Sequence, residues 1–301
     1  MDLYFLELFF SGLTRGGIYT LIALGYTMVY GIIGLINFAH GEIYMIAAFI
    51  GLTFAGIFSI LQFSLISILL IAVFFAMLFS AAYGYTIEKT AYKPLRQASR
   101  LAPLISAIGM SIFLREYVIL AQTPDFLAFP MLFGDLELPE FMMDFIQPTE
   151  TIIILVSFFL VGILLLFIKH TKTGKAMRAI SQDREMAMLL GVNSDKIISF
   201  TFMVGSLLAA FGAILISAHI GQINYNIGFI IGIKAFTAAV LGGIGSIPGA
   251  ALGGLTLGLI ESFATGYISS DYEDVFAFGI LVLILIFKPA GFLGKKEHKK
   301  V

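Results

Sequence analysis

Asn37, His40 and Glu42 fall within six residues of one another in the segment GLINFAHGEIYMIAAFIG, which runs from Gly34 to Gly51 in an otherwise apolar setting. A histidine two residues from a carboxylate could begin a zinc site, but the chain has no cysteine and no HExxH partner to complete one. A phosphate-binding GxxxxGK[ST] loop also fails: Gly174-Lys175 is followed by Ala176, and Lys169 stands where the first glycine is required. Neither a metal nor an organic cofactor is expected, and the chain reads as a non-enzyme. The chemistry that remains is that of charge inside an apolar medium. Arg15, His40, Glu42, Glu88, Arg115, Glu116, Lys234 and Glu261 all interrupt apolar runs. Each is costly in hydrocarbon, so each should face protein, water or an interface.

Glycine is the second signal. Gly245, Gly249 and Gly253 recur every fourth residue, as do Gly254 and Gly258, Gly12 and Gly16, Gly228 and Gly232, and the small series Gly205, Ala209 and Ala213. This spacing lets helices approach closely where no hydrophobic effect drives them together, and packing accounts for most of it. The run LGGIGSIPGAALGG from Leu241 to Gly254 differs, because Pro248 lacks a backbone donor and its glycines permit unusual dihedrals. A helix broken there would free backbone groups to line a cavity. Gly242, Gly243, Gly245 and Pro248, with Asn37, His40 and Glu42, are therefore the candidate transport pathway.

The elements that must position these residues follow from composition. The 301 residues are 59% hydrophobic and 12% charged, with net charge −1, whereas soluble domains carry about 25% charged residues. Runs of roughly 20 apolar residues match a spanning helix. They occur at 5–30, 36–58, 63–87, 104–122, 151–168, 197–219, 228–244, 249–266 and 275–287, giving eight or nine spans in one transmembrane domain over residues 1–301. The fold class is all-α and polytopic, with Gly-rich breaks at 31–34 and 242–248. Nothing in the chain suggests nucleic-acid binding; membrane lipid is the surrounding partner.

Loop charge sets the orientation. Lys89, Lys93, Arg96 and Arg100 lie in one interval; Lys295, Lys296, Lys299 and Lys300 lie in the tail; and residues 169–196 carry Lys169, Lys172, Lys175, Arg178, Arg184 and Lys196. The interval 123–150 has no Lys or Arg but holds Asp125, Asp135, Glu137, Glu140, Asp144 and Glu150. Basic loops inside and acidic loops outside place the N-terminus outside and the C-terminus in the cytoplasm. Within 169–196, Thr171 or Thr173 could cap a helix running from about Lys175 to Leu190. Gly191 would stop it, and Asn193 or Ser194 would cap the next span.

The pattern Glu185-x-Ala187-x3-Gly191 resembles the loop by which permeases of ATP-binding cassette importers dock their ATPases, although Met186 replaces the second alanine. With GLINFAHGEIYMIAAFIG, RAISQDREMAMLLGVN from Arg178 and VLGGIGSIPGAALGG from Val240, the chain resembles the inner-membrane permeases of branched-chain amino acid importers of the LivH type. The resemblance implies a bacterial or archaeal cytoplasmic membrane. It also implies a second homologous permease subunit, two cytoplasmic ATPase subunits and an extracytoplasmic substrate-binding protein. It makes Arg178, Asp183, Glu185, Ala187 and Gly191 the ATPase-coupling residues of an alternating-access importer. The competing expectation is an ion-coupled secondary transporter or channel for a small solute such as an amide, with Glu42, Glu116 or Glu261 carrying protons.

Overall fold

The computed structural model of the chain describes residues 3–99, 101–130 and 145–294. Arg100, the acidic Asp135, Glu137, Glu140 and Asp144, and the tail lysines from Lys295 onward lie outside them. The helices are α1 (Leu3–Ile33), α2 (His40–Ile60), α3 (Leu65–Ile87), α4 (Leu101–Ala121), α5 (Pro148–His170), α6 (Lys172–Gln182), α7 (Arg184–Leu189), α8 (Ser194–Ile220), α9 (Ile227–Gly242), α10 (Ile247–Tyr267) and α11 (Glu273–Phe287). All nine apolar runs lie on helices, and seven of these are long and apolar enough to cross a membrane. The other two, α9 and α11, have 16 and 15 residues. At 1.5 Å per residue they reach about 24 Å, short of a hydrocarbon core roughly 30 Å thick.

Hydrophobic on all sides, α1 occupies the centre: 78% of its most apolar window is buried, against 17% for α4. Glycines let its neighbours in. A Cβ on Gly16 would lie 2.8 Å from Leu255 Cα of α10, and one on Gly17 would lie 3.0 Å from Ser157 of α5. The outward faces of α3, α4 and α5 present large apolar side chains, including Leu70, Ile105, Phe113 and Phe159. In water such a surface would aggregate; in a bilayer it faces acyl chains.

Two ends are distinguishable. At one, two short strands pair antiparallel, β1 (Leu127–Ala128) with β2 (Gln222–Ile223), and Tyr4 donates a hydrogen bond to the Gly266 carbonyl at 2.8 Å. At the other, the basic intervals meet: Tyr92 reaches Asn37, and Arg96 reaches Asp195. After Ile87 the α3 helix loosens into a π-helical turn (Glu88–Tyr92) and a short 3-10 turn (Lys93–Leu95), which carries its basic residues sideways toward α8.

Both expected breaks exist, with their own geometry. Helix α1 runs through Gly31 to Ile33, and Gly34 turns the chain at φ +67°. The next helix then begins well inside the bundle. His40 packs on Gly25 and Gly205, and Gly25 precedes the end of α1 by two turns, roughly 12 Å. At the second break, Gly243 and Gly245 take φ of +104° and +90°, which side chains with a Cβ rarely adopt.

Candidate functional site

The basic end holds the first candidate. Thr171 caps α6 by accepting from Gly174 N at 3.0 Å, and Met177 and Ile180 turn inward. One helix from Lys175 to Leu190 is not what forms. Asp183 takes an extended backbone, φ −154° and ψ 107°, and its side chain accepts from Met186 N at 2.9 Å. A side chain that caps a new helix ends the old one, so the stretch becomes α6, a corner and α7. The stop at Gly191 is a Schellman turn: φ is +83°, Val192 N donates to Ala187 O and Gly191 N to Met188 O, both at 3.0 Å. Asn193 then caps α8 at Lys196 N, 3.0 Å.

This construction leaves α7 a short, braced helix with an unusual surface. Ala187 is buried, while Met186, Met188, Leu189 and Leu190 are 54%, 45%, 81% and 78% exposed. Arg178, Asp183, Glu185 and Gly191 are exposed around them, and Arg178 donates to the Lys169 carbonyl at 3.2 Å. Four adjacent large apolar side chains projecting from a polar loop form a surface suited to a protein partner.

Behind α7 lies an ionic chain that sequence reasoning missed. Asp195 accepts from Arg96 at 2.7 Å and pairs with Lys93 at 2.9 Å, and Arg184 stands 4.0 Å away. Arg96 also bonds Glu88, which is fully buried and accepts from Ser199 Oγ at 2.6 Å. The only signal was Glu88 itself, a carboxylate in an apolar run that sequence alone could place at the membrane edge. Arg96→Met should therefore leave a buried carboxylate without its cation, lowering stability by about 3 kcal/mol. Thermal unfolding of the purified chain should show this loss, and adding Glu88→Gln should recover more than half of it.

The second candidate is less unified than expected. Asn37 Oδ1 accepts from Ala39 N at 3.2 Å and from Tyr92 OH at 3.0 Å, which ties the turn before α2 to the π-helical turn. His40 sits edge-on to Tyr26, with ring centroids 4.8 Å apart. Glu42 Oε1 accepts from Ser111 at 3.0 Å, while its Oε2 lies against Gly228 with no hydrogen-bond partner among the described residues. Gly242, Gly243, Gly245 and Pro248 share none of these contacts; they lie at the basic end, where Gly245 faces Gly31. The carbonyls of Leu241 and Gly242 accept from Phe292 N and Leu293 N, both at 2.9 Å. Those two groups are thus paired by the chain's own tail and do not line an opening.

A third cluster lies toward the strand end. Lys234 Nζ meets Glu261 at 2.9 Å, Glu273 at 2.6 Å and Asp274 at 2.9 Å. Arg15 bridges Glu261 at 3.2 Å and Glu273 at 3.0 Å, and Tyr19 donates to Glu261 at 2.9 Å. Three residues read separately from sequence are here one network joining α1, α9, α10 and α11. Arg115 and Glu116 stand apart from it, 3.9 Å from each other on α4. No group of three or more metal-ligating side chains occurs among the described residues.

Comparison with known proteins places this architecture. Residues 8–285 match the family described as the permease component of branched-chain amino acid transport systems. The chain is 47% identical over 305 residues to the high-affinity branched-chain amino acid transport system permease protein BraD of Pseudomonas aeruginosa, covering 99% of this chain and 98% of that protein. It is 46% identical over 303 residues to LivH of Escherichia coli K12, with the same coverage. It also resembles the fructose import permease protein FruG of Bifidobacterium longum, at 25% identity over 40% of this chain and 37% of FruG. No solved structure matches. With the match extending from within α1 into α11, this multi-pass membrane protein belongs to the family of branched-chain amino acid transport permeases.

Proposed function

We propose that the chain is one permease subunit of an ATP-driven importer for branched-chain or other hydrophobic amino acids. It pairs with a second homologous permease, two cytoplasmic ATPases and an extracytoplasmic binding protein. The observation that carries this reading is α7: a rigidly capped helix whose Met186, Met188, Leu189 and Leu190 are exposed beside Arg178, Asp183, Glu185 and Gly191. In this reading the basic end is cytoplasmic, consistent with the Lys and Arg of its loops, and the N-terminus lies outside. The binding protein docks on the acidic outer end. ATP-driven closure pushes on α7, and the Asp195–Arg96–Glu88 chain passes the displacement to α8 and α3. Solute then moves along a path near the buried start of α2, with Asn37, His40 and Glu42 on one side and the Gly242–Pro248 break as a flexible joint. Near full-length likeness to proteins named for branched-chain amino acids supports that substrate class over a sugar, for which the likeness is partial.

Vesicles containing the whole assembly should take up leucine only with ATP and the binding protein present. Glu185→Arg and Gly191→Arg should leave the permease in the membrane but reduce ATPase copurification at least tenfold. Uptake by the lone chain under a proton gradient, or normal assembly of both variants, overturns the proposal.

A further inference from the structure

A cleft of about 530 Å³ opens between the end of α3 and the start of α8. Its upper rim carries Lys89, Lys93 and Lys196, and its lower wall is Tyr85, Phe200 and Met203. The two halves have different chemistry. The three lysines lie where the basic intervals meet, whereas Tyr85, Phe200 and Met203 give the rest of the lining its aromatic and apolar surface. Lys89 places its ammonium over the Tyr85 ring, 5.2 Å from its centroid, so this lysine sits where the charged and aromatic parts of the lining meet. One acid also lines the cleft, Asp195, but it is already held by Arg96 at 2.7 Å. The rim therefore keeps an excess of positive charge.

We infer that this cleft binds an anionic phospholipid, with the phosphate among Lys89, Lys93 and Lys196 and an acyl chain along Tyr85, Phe200 and Met203. A free phosphate would satisfy the lysines and leave the apolar wall empty; a zwitterionic lipid would fill the wall and leave the lysines undercompensated. A basic pocket between spanning helices above hydrocarbon is the general form of an anionic-lipid site. The inference needs only that the chain spans a membrane, not the identity of its protein partners. It carries a consequence, because Lys93 also pairs with Asp195 at 2.9 Å. A bound headgroup competes for Lys93 and so acts on the same ionic chain that braces α7.

The test is native mass spectrometry of the full chain in detergent at low salt. It is titrated with dioleoyl phosphatidylglycerol, with dioleoyl phosphatidylcholine, and with phosphatidylglycerol in the presence of equimolar inorganic phosphate. The anionic lipid should bind at least tenfold more tightly than the zwitterionic one, and phosphate should not displace it at equal concentration. Each lysine near the headgroup contributes roughly fivefold, so Lys89→Ala/Lys196→Ala should weaken binding roughly 25-fold. Lys172→Ala/Lys175→Ala, at the same end but outside the cleft, should change it less than twofold. Because both cleft lysines are solvent-accessible, a monodisperse double variant is expected, and the single variant Lys196→Glu provides an independent reading in the same direction. Equal loss in the two double variants, unchanged binding in the cleft variants, or displacement by equimolar phosphate overturns the proposal.

Discussion

Lys234→Met is expected to lower the stability of the folded chain by roughly 3–5 kcal/mol, the range for removing one partner of a buried ion pair. Each of the three N–H donors of Lys234 has its own carboxylate, at 2.6–2.9 Å. Without the ammonium, Glu261 and Glu273 keep Arg15 as their shared cation, and Asp274 loses its ion pair. Glu261 suffers most, since its side chain is fully buried while Glu273 and Asp274 are 30% and 52% exposed. The denaturant midpoint of the purified chain in lipid bicelles measures the loss. Adding Glu261→Gln removes the charge that burial penalises, so the double variant should be more stable than Lys234→Met alone. A double variant no better than the single would mean that the cluster does not act as a unit.

Gly258→Val should be comparably damaging for a different reason. A Cβ at residue 258 would lie 2.6 Å from the Gly12 carbonyl oxygen and closer still to the backbone of Gly16. These obstacles are main chain and cannot rotate away, so α10 must move off the central α1. Overpacking of this kind costs roughly 3 kcal/mol or more when nothing flexible can yield. Gly109→Val and Gly162→Val provide the contrast, because nothing lies within 4 Å of a Cβ at either position. Both should leave the thermal midpoint nearly unchanged while Gly258→Val lowers it by several degrees or abolishes the folded peak on size exclusion. If all three behave alike, the close approach of α1 and α10 is not what holds the centre together.

That contrast shows what a sequence can reveal and what it cannot. Apolar runs declare themselves because a bilayer demands length and hydrophobicity from each span independently, and every run became a helix. Thr171, Gly191 and Asn193 were legible as caps because a cap is local chemistry between residues three to five apart. Asp183 was not, since an aspartate flanked by helix formers is equally compatible with a helix interior and a corner. The ionic chain from Asp195 to Arg96 spans 99 residues in sequence. The pairing of Lys234 with Glu261 and Glu273 joins separate helices as well. Charge cost says that partners must exist but not which helices bring them. Glycine spacing is similarly silent: Gly258 and Gly162 look alike until a neighbour is known. The candidate pathway divided for the same reason, because sequence proximity to a break does not specify how deep the next helix starts.

The pairing of Phe292 and Leu293 amides with the Leu241 and Gly242 carbonyls bears on how the protein is made. The ribosome delivers residue 242 about fifty residues before residue 293, so at roughly 5–20 residues per second those carbonyls wait roughly 3–10 s for their donors. During that interval the joint between α9 and α10 has only water or transient partners, and the two helices can swing about Gly243 and Gly245. The turn at Phe292 and Leu293 is thus a latch that translation supplies about fifty residues after the joint it closes.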